Sequence, residues 1–363
     1  MEGFFGKREV YFKSTNRGVH RCYTRAPDMQ CTLYIPHLIP PRDIGDALWR
    51  TVDAPQLNTL LARAAFTAHE ATGADALLCR TFGIAQQQDW PLAPVLARSE
   101  HLAADRGYWL CATPSHLEAR RNALVFSDPG LLAMTPIESG AFSRTLADHL
   151  REENVTLHAP NPGHWFLQCD TPPAMATTSL DTVTGRDVRP FLPLGPDSAR
   201  WHRILTEIQM LLQSHPVNDA REAHGQLPVN SVWLWGGGTL PASVSTPFAS
   251  VWSDDACVRA LAQHTACSVG FRPTRFTPQT LNNESHFFSF ESLVRPLRMG
   301  DAQGWSTAVT ALNRDWFNPL LDALKARLLS TLTLLSVNDA GTQQFVIQPR
   351  DLIKFWRKNK YLQ

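Results

Sequence analysis

No stretch of this sequence reaches the ~18 consecutive apolar residues that a membrane-spanning helix needs. The first residues also lack the apolar segment of a secretory signal. Paired cysteines are missing. Cys22, Cys31, Cys79, Cys111, Cys169, Cys257 and Cys267 are odd in number and scattered, with no Cys-x-x-Cys spacing. That pattern argues against a disulfide framework or a cysteine zinc site and fits reduced thiols in a cytoplasmic protein. Net charge is nearly absent: 34 Lys plus Arg against 33 Asp plus Glu leave +1. Such a balance gives no general attraction to nucleic acid or anionic lipid. Internal repeats, low-complexity tracts, a phosphate-binding P-loop and a dinucleotide GxGxxG run are all lacking.

What is present is a large apolar complement. Hydrophobic residues make up 44% of the chain, with 11 Trp and 26 Pro among 363 residues. That is enough for about two domains with well-filled cores. Residues 1–30 carry Lys7, Arg8, Lys13, Arg17, Arg21 and Arg25 without a helical face and are expected to form a disordered basic lead.

Thr32–Ile35 is a short β-rich run closed by Pro36, and Leu57, Leu60 and Leu61 fall at helical spacing. Gly107–Ala112 and Ala123–Phe126 read as strands. Thr135-Pro136-Ile137-Glu138 has the spacing of a capping box with Pro at the first helical position. Val155–His158 and Trp165–Cys169 flank the turn signal Asn161-Pro162-Gly163 and form a hairpin. Trp201, Ile204, Leu205, Ile208 and Leu212 mark one helical stripe. Ser231–Trp235 reads as a buried strand ended by Gly236-Gly237-Gly238. Trp305 to Leu328 forms one long amphipathic face, and Leu332–Val337 with Gln344–Ile347 makes a closing hairpin. Alternating strands and helices predict an α/β layer fold with an inserted α+β unit.

The run from His215 to Pro241, HPVNDAREAHGQLPVNSVWLWGGGTLP, is the most informative. In His215, Pro216, Val217, Asn218, Arg221, Asn230, Trp233, Leu234, Trp235, Gly236, Gly238 and Pro241 it resembles the archaeal-type cofactor-independent phosphoglycerate mutases. Over Thr32 to Lys358, with its WLWGGG, WLCATPSHL and FWR segments, the chain is similar to a bacterial family of RpfE-type regulatory proteins. The resemblance implies a reduced alkaline-phosphatase-like α/β/α core over 31–104 and 200–363, with the α+β unit inserted at 105–199. It also implies phosphoryl transfer by two divalent metals and a Ser or Thr nucleophile.

Two cations held close together need several carboxylates and imidazoles converging on them. The first strand region, Thr32–Pro41, contains no Asp and offers only His37. Beyond Ser268 there is one histidine, His286, and no Asp-x-x-x-His pair. The expectation is therefore a non-catalytic, mutase-like protein with a regulatory or binding role, without a metal cofactor. Its partner would be a protein or a small anionic ligand, without membrane or nucleic acid. The alternative is an active mutase or related metal-dependent phosphoryl-transfer enzyme whose two metals sit on Asp254, Asp255 and His264. Candidate anion contacts are Asn218, Arg221 and Asn230, with the backbone of Gly236, Gly237 and Gly238. Each has a structural reading beside it: the Asn and Arg side chains as loop scaffolding, the glycines as a tight turn under a close neighbour.

Overall fold

The computed structural model describes residues 29–40, 42–70, 73–338, 341–354 and 356–357. The basic lead expected at 1–30 falls almost wholly outside these residues. The strands in chain order are β1 Gln30–Tyr34, β2 Ala65–Glu70, β3 Tyr108–Ser115, β4 Leu117–Arg120, β5 Ala123–Phe126, β6 Val155–Asn161 and β7 His164–Cys169. They continue as β8 Ser231–Gly238, β9 Ser250–Trp252, β10 Ser268–Gly270, β11 Ser285–Ser289, β12 Thr331–Asn338 and β13 Gly341–Ile347.

The core sheet is seven-stranded in the order β10-β9-β11-β1-β12-β13-β2. Its first five strands run parallel, and β13 and β2 are antiparallel additions at one edge. Parallel strands must be covered on both faces, and side chains alternate across a strand. Cys31 and Leu33 of β1 accordingly face one apolar cluster, with Trp305, Trp316 and Leu320. Tyr34 faces a second cluster, with Phe287 and Val337.

A second sheet, ordered β6-β7-β3-β8, stacks over that second cluster. Period two places Trp233 and Trp235 of β8 toward the core, with Trp109, Cys111 and Phe166. Val232 and Leu234 face outward onto the helices Pro136–Glu152 and Ser198–Gln213, which supply Phe142, Leu146, Trp201 and Ile208. One buried aromatic layer thus belongs to both sheets.

The second sheet includes one strand from outside the 105–199 stretch expected for the insertion. That strand is β8, at the sheet's edge, whose partner β3 lies over a hundred residues earlier in the chain. The helix Ser198–Gln213 packs only on that sheet's outer face. A long-range pairing of this kind leaves no mark in local sequence, so 200–240 read as core.

The single long helix expected from Trp305 to Leu328 is three segments: Ala302–Leu312, a π-helical turn Asn313–Phe317, and Asn318–Lys325. Pro319 lacks the N–H that a continuous helix would use there. The buried Asn313 side chain accepts from Leu57 N at 3.0 Å and donates to Gln56 at 2.6 Å. The capping box forms as its spacing predicts, with the Thr135 and Glu138 side chains each bonding the other's backbone N–H. The hairpin turn also forms, and Asn161 Oδ1 accepts from Gly163 N and His164 N at 3.1 and 3.0 Å.

Candidate functional site

The mutase-like run is taken up by the framework of the second sheet. Asn218 is 3% exposed; it donates to Leu212 O and Val229 O and accepts from Val229 N. Asn230 pairs both ways with the backbone of Leu117, at 2.7 and 3.0 Å. Arg221 is 1% exposed. It forms an ion pair with Glu138 at 2.8 Å and donates to Leu227 O and Leu132 O. Its guanidinium ties three segments of the insertion together, leaving its fork turned inward rather than toward solvent. His215 caps the following helix by accepting from Val217 N, and its Nε2 meets Thr145 Oγ1.

The glycines do not form a loop after the strand. They are the buried end of β8 itself. Gly236 has φ +69° at a register shift opposite Trp109 and Cys111, a bulge that favours glycine. The Gly237 N–H donates to the carboxylate of Asp89, which also accepts from Thr177 N and Oγ1. The run does meet an anion, and the anion is the protein's own. A Cβ on Gly237 would collide with Tyr108 Oη and lie 2.9 Å from Leu110 Cδ2; one on Gly238 would lie 2.5 Å from Pro91 Cβ. Gly237→Ala is expected to destabilise the protein by about 1–3 kcal/mol, read as a lower urea midpoint at unchanged slope; an unshifted midpoint would contradict this packing.

A cleft of about 430 Å³ lies between the two sheets. It sits beyond the carboxyl ends of the parallel strands, where ligands bind in open α/β sheets. Tyr34 ends β1, Asp255 follows β9 and Glu291 follows β11; the helix Ala74–Thr81 adds Asp75, and the insertion adds Thr113, Phe166, Asp181 and Trp235. Burial pushes the carboxyls of Asp255 and Glu291 up from the ordinary range. Asp75 is pushed up to about 7 by burial first, then by Asp181, Asp255 and Asp89. Asp181 pairs with Arg298 at the cleft, and His164 with Glu100 at 2.6 Å.

The hydroxyls and thiols here are poor nucleophiles. Ser253 and Ser289 are fully buried and bonded to each other at 2.6 Å. Thr113 Oγ1 accepts from the Trp235 indole. Burial drives the Cys111 and Cys257 thiols well above their ordinary range, whereas a reactive cysteine needs its thiolate.

The alternative metal set is not brought together. Asp255 caps the helix Ala256–His264 by accepting from Val258 N. Asp254 points away to Arg272 at 3.3 Å and is about half exposed. His264 lies at the far end of that helix, about 13 Å along the axis at 1.5 Å per residue. Among the described residues, no three His, Cys, Asp or Glu side chains converge to hold a metal ion. The present donors therefore do not fit the metal pair that the resemblance implies. Asp75, Asp181 and Glu291 escaped the sequence reading because they come from distant segments without a motif. Only the strand-end position of Asp255 was a local signal.

No protein-family model matches this chain. Curated relatives match over short stretches. A 2,3-bisphosphoglycerate-independent phosphoglycerate mutase of Methanosarcina acetivorans is 36% identical over 102 residues, 27% of this chain and 25% of that protein. The enzyme of Methanosarcina barkeri is 32% identical over 76 residues, 21% of this chain and 19% of that protein. Part of this chain is homologous to the archaeal-type cofactor-independent phosphoglycerate mutases. The matched stretch spans about a quarter or less of those relatives' length. A solved structure of a Pyrococcus horikoshii protein superposes with TM-score 0.54 at 12% identity, covering 88% of this chain and 87% of the other. The expected mixed α/β architecture of strands and helices is the one observed. No helix among the described residues is long and apolar enough to cross a membrane.

Proposed function

We propose that this chain is a non-catalytic relative of the phosphoglycerate mutases, working in the cytoplasm as a ligand-binding protein of the RpfE-type regulatory kind. The cleft between the two sheets is its binding site. One observation carries the reading: the cleft's carboxylates are spread around its wall and do not gather on a point beside an activated hydroxyl. Asp255 serves as a helix cap, Glu291 accepts from Ser289 Oγ at 2.9 Å, and Asp181 pairs with Arg298. Phosphoryl transfer by positioning and electrostatics needs cations at the reacting oxygens. Without them, this wall repels phosphoglycerate, and the small anionic ligand expected from the sequence is disfavoured on the same ground.

The test is turnover of 3-phosphoglycerate by the full chain in saturating manganese chloride. The expected rate does not exceed that of a protein-free blank. Manganese-dependent formation of 2-phosphoglycerate would overturn the proposal and restore the enzyme reading.

A further inference from the structure

A second pocket, of about 420 Å³, shares no lining residue with the cleft. The last turn of the helix Pro136–Glu152 borders it, with Glu152 and the following Glu153. The helix Ser198–Gln213 starts at it, with Asp197, Arg200 and Trp201. Asp170, just past the end of β7, completes its polar wall.

Trp201 supplies the sign of a missing partner. Its side chain is 0% exposed, and it belongs with Phe142 and Ile208 to the outer apolar cluster. It lines the pocket, and its indole N–H is buried without a hydrogen-bond partner. An indole can only donate, and a buried one usually finds an acceptor. The helix start beside it is also without a side-chain cap. Asp197 stands at the N-cap, but its carboxylate accepts from Ala174 N at 2.7 Å instead. First-turn N–H groups at the positive end of a helix favour an anionic oxygen. Indole and helix start both call for an acceptor.

The rim attracts the opposite sign. Glu153 is engaged by Arg203 at 2.7 Å and by Arg200 at 3.5 Å. Glu152 and Asp170 are exposed and form no ion pair among the described residues. A simple anion would be repelled by these two carboxylates. A simple amine would leave the indole unpaired.

We propose that the pocket binds a free α-amino acid as its zwitterion, the carboxylate accepting from the Trp201 indole N–H at the helix start and the ammonium held by Glu152 and Asp170. A volume of about 420 Å³ holds roughly ten non-hydrogen atoms with room for water. The polar wall favours an uncharged polar side chain over an apolar one. This site stands apart from the cleft and from the reading given to it.

The experiment is calorimetric titration of the full chain at pH 7 with L-glutamine. Two controls each remove one charge from the same skeleton: glutaramate lacks the amine, and 4-aminobutanamide lacks the carboxylate. Saturable binding of glutamine is expected, with both controls at least about tenfold weaker. The double substitution Glu152→Gln with Asp170→Asn should weaken glutamine by about tenfold. Both positions are exposed, so the fold is preserved, and an unchanged near-ultraviolet spectrum checks this. In protein labelled with nitrogen-15 at tryptophan, glutamine should shift the indole resonance that Trp201→Phe removes. No glutamine binding at millimolar concentration would overturn the proposal. So would equal binding of either control, or glutamine binding that ignores the double substitution or leaves the Trp201 resonance unmoved. Each of these results leaves the non-catalytic reading of the cleft standing, whereas manganese-dependent turnover would remove that reading and not this one.

Discussion

Arg221→Ala is expected to lose about 4 kcal/mol of stability, the largest effect of any single substitution in the insertion. The side chain is 1% exposed and its partners are fixed. Its loss strands the Glu138 carboxylate and leaves the carbonyls of Leu132 and Leu227 without their donor. Glu138 is itself half of the capping box that starts the helix Pro136–Glu152. Burial pushes its carboxyl up, but hydrogen bonds from Thr135 and Arg221 outweigh burial and hold it below the ordinary range. Stability from this depressed group is present at neutral pH and is lost as pH falls through its folded-state value. Arg221→Lys should recover only part of the loss, because a single ammonium cannot reach three acceptors in a fork. Urea unfolding of the two variants checks both statements. A loss under about 1 kcal/mol in the alanine variant would show that Arg221 is not the scaffold described here.

Asp75→Asn should act in the opposite direction, with a pH signature. The folded-state carboxyl titrates at about 7, against an ordinary 3.8. Burial is the main cause, followed by Asp181, Asp255 and Asp89. The folded protein therefore holds a proton between these values that the unfolded chain has released. Stability falls as pH rises through that window and levels off above it. An amide of the same shape carries no such penalty. Each pKa unit is about 1.4 kcal/mol, and partial solvation of the site roughly halves the total. The variant should be more stable than the parent by about 2 kcal/mol at pH 8, with the gain fading toward pH 4. Urea midpoints at the two pH values measure it. A pH-independent difference would mean that Asp75 is not the strained group.

The same two residues show what sequence could and could not reveal. Arg221 was visible because it sits in a run whose order resembles a known family, and its candidacy as an anion contact followed from chemistry alone. Its inward turn was not visible, since Glu138 and Leu132 lie more than eighty positions away. Asp75 carried no signal at all, being one acid in a short helix. The capping box and the Asn161-Pro162-Gly163 hairpin were legible because their partners lie within a few residues. The edge strand β2 was not: it pairs with β13, almost three hundred residues later, and Phe66 on it is 46% exposed. The glycine run shows the same limit. Its place at a strand end allowed either an anion contact or a tight turn, but Asp89 as its partner depends on a contact across the fold.

The aromatic layer shared by the two sheets also limits how the molecule can respond to a ligand. Trp109, Phe166, Trp233 and Trp235 share one buried cluster with Tyr34, Phe287 and Val337, together with Leu92, Val95 and Leu96 of the helix Leu92–Ser99. Opening the insertion like a jaw would peel this layer apart and wet several of the largest side chains in the chain. The cleft is held at constant width. Selection there must come from the rigid outline of its walls, as in a lock cut before the key arrives.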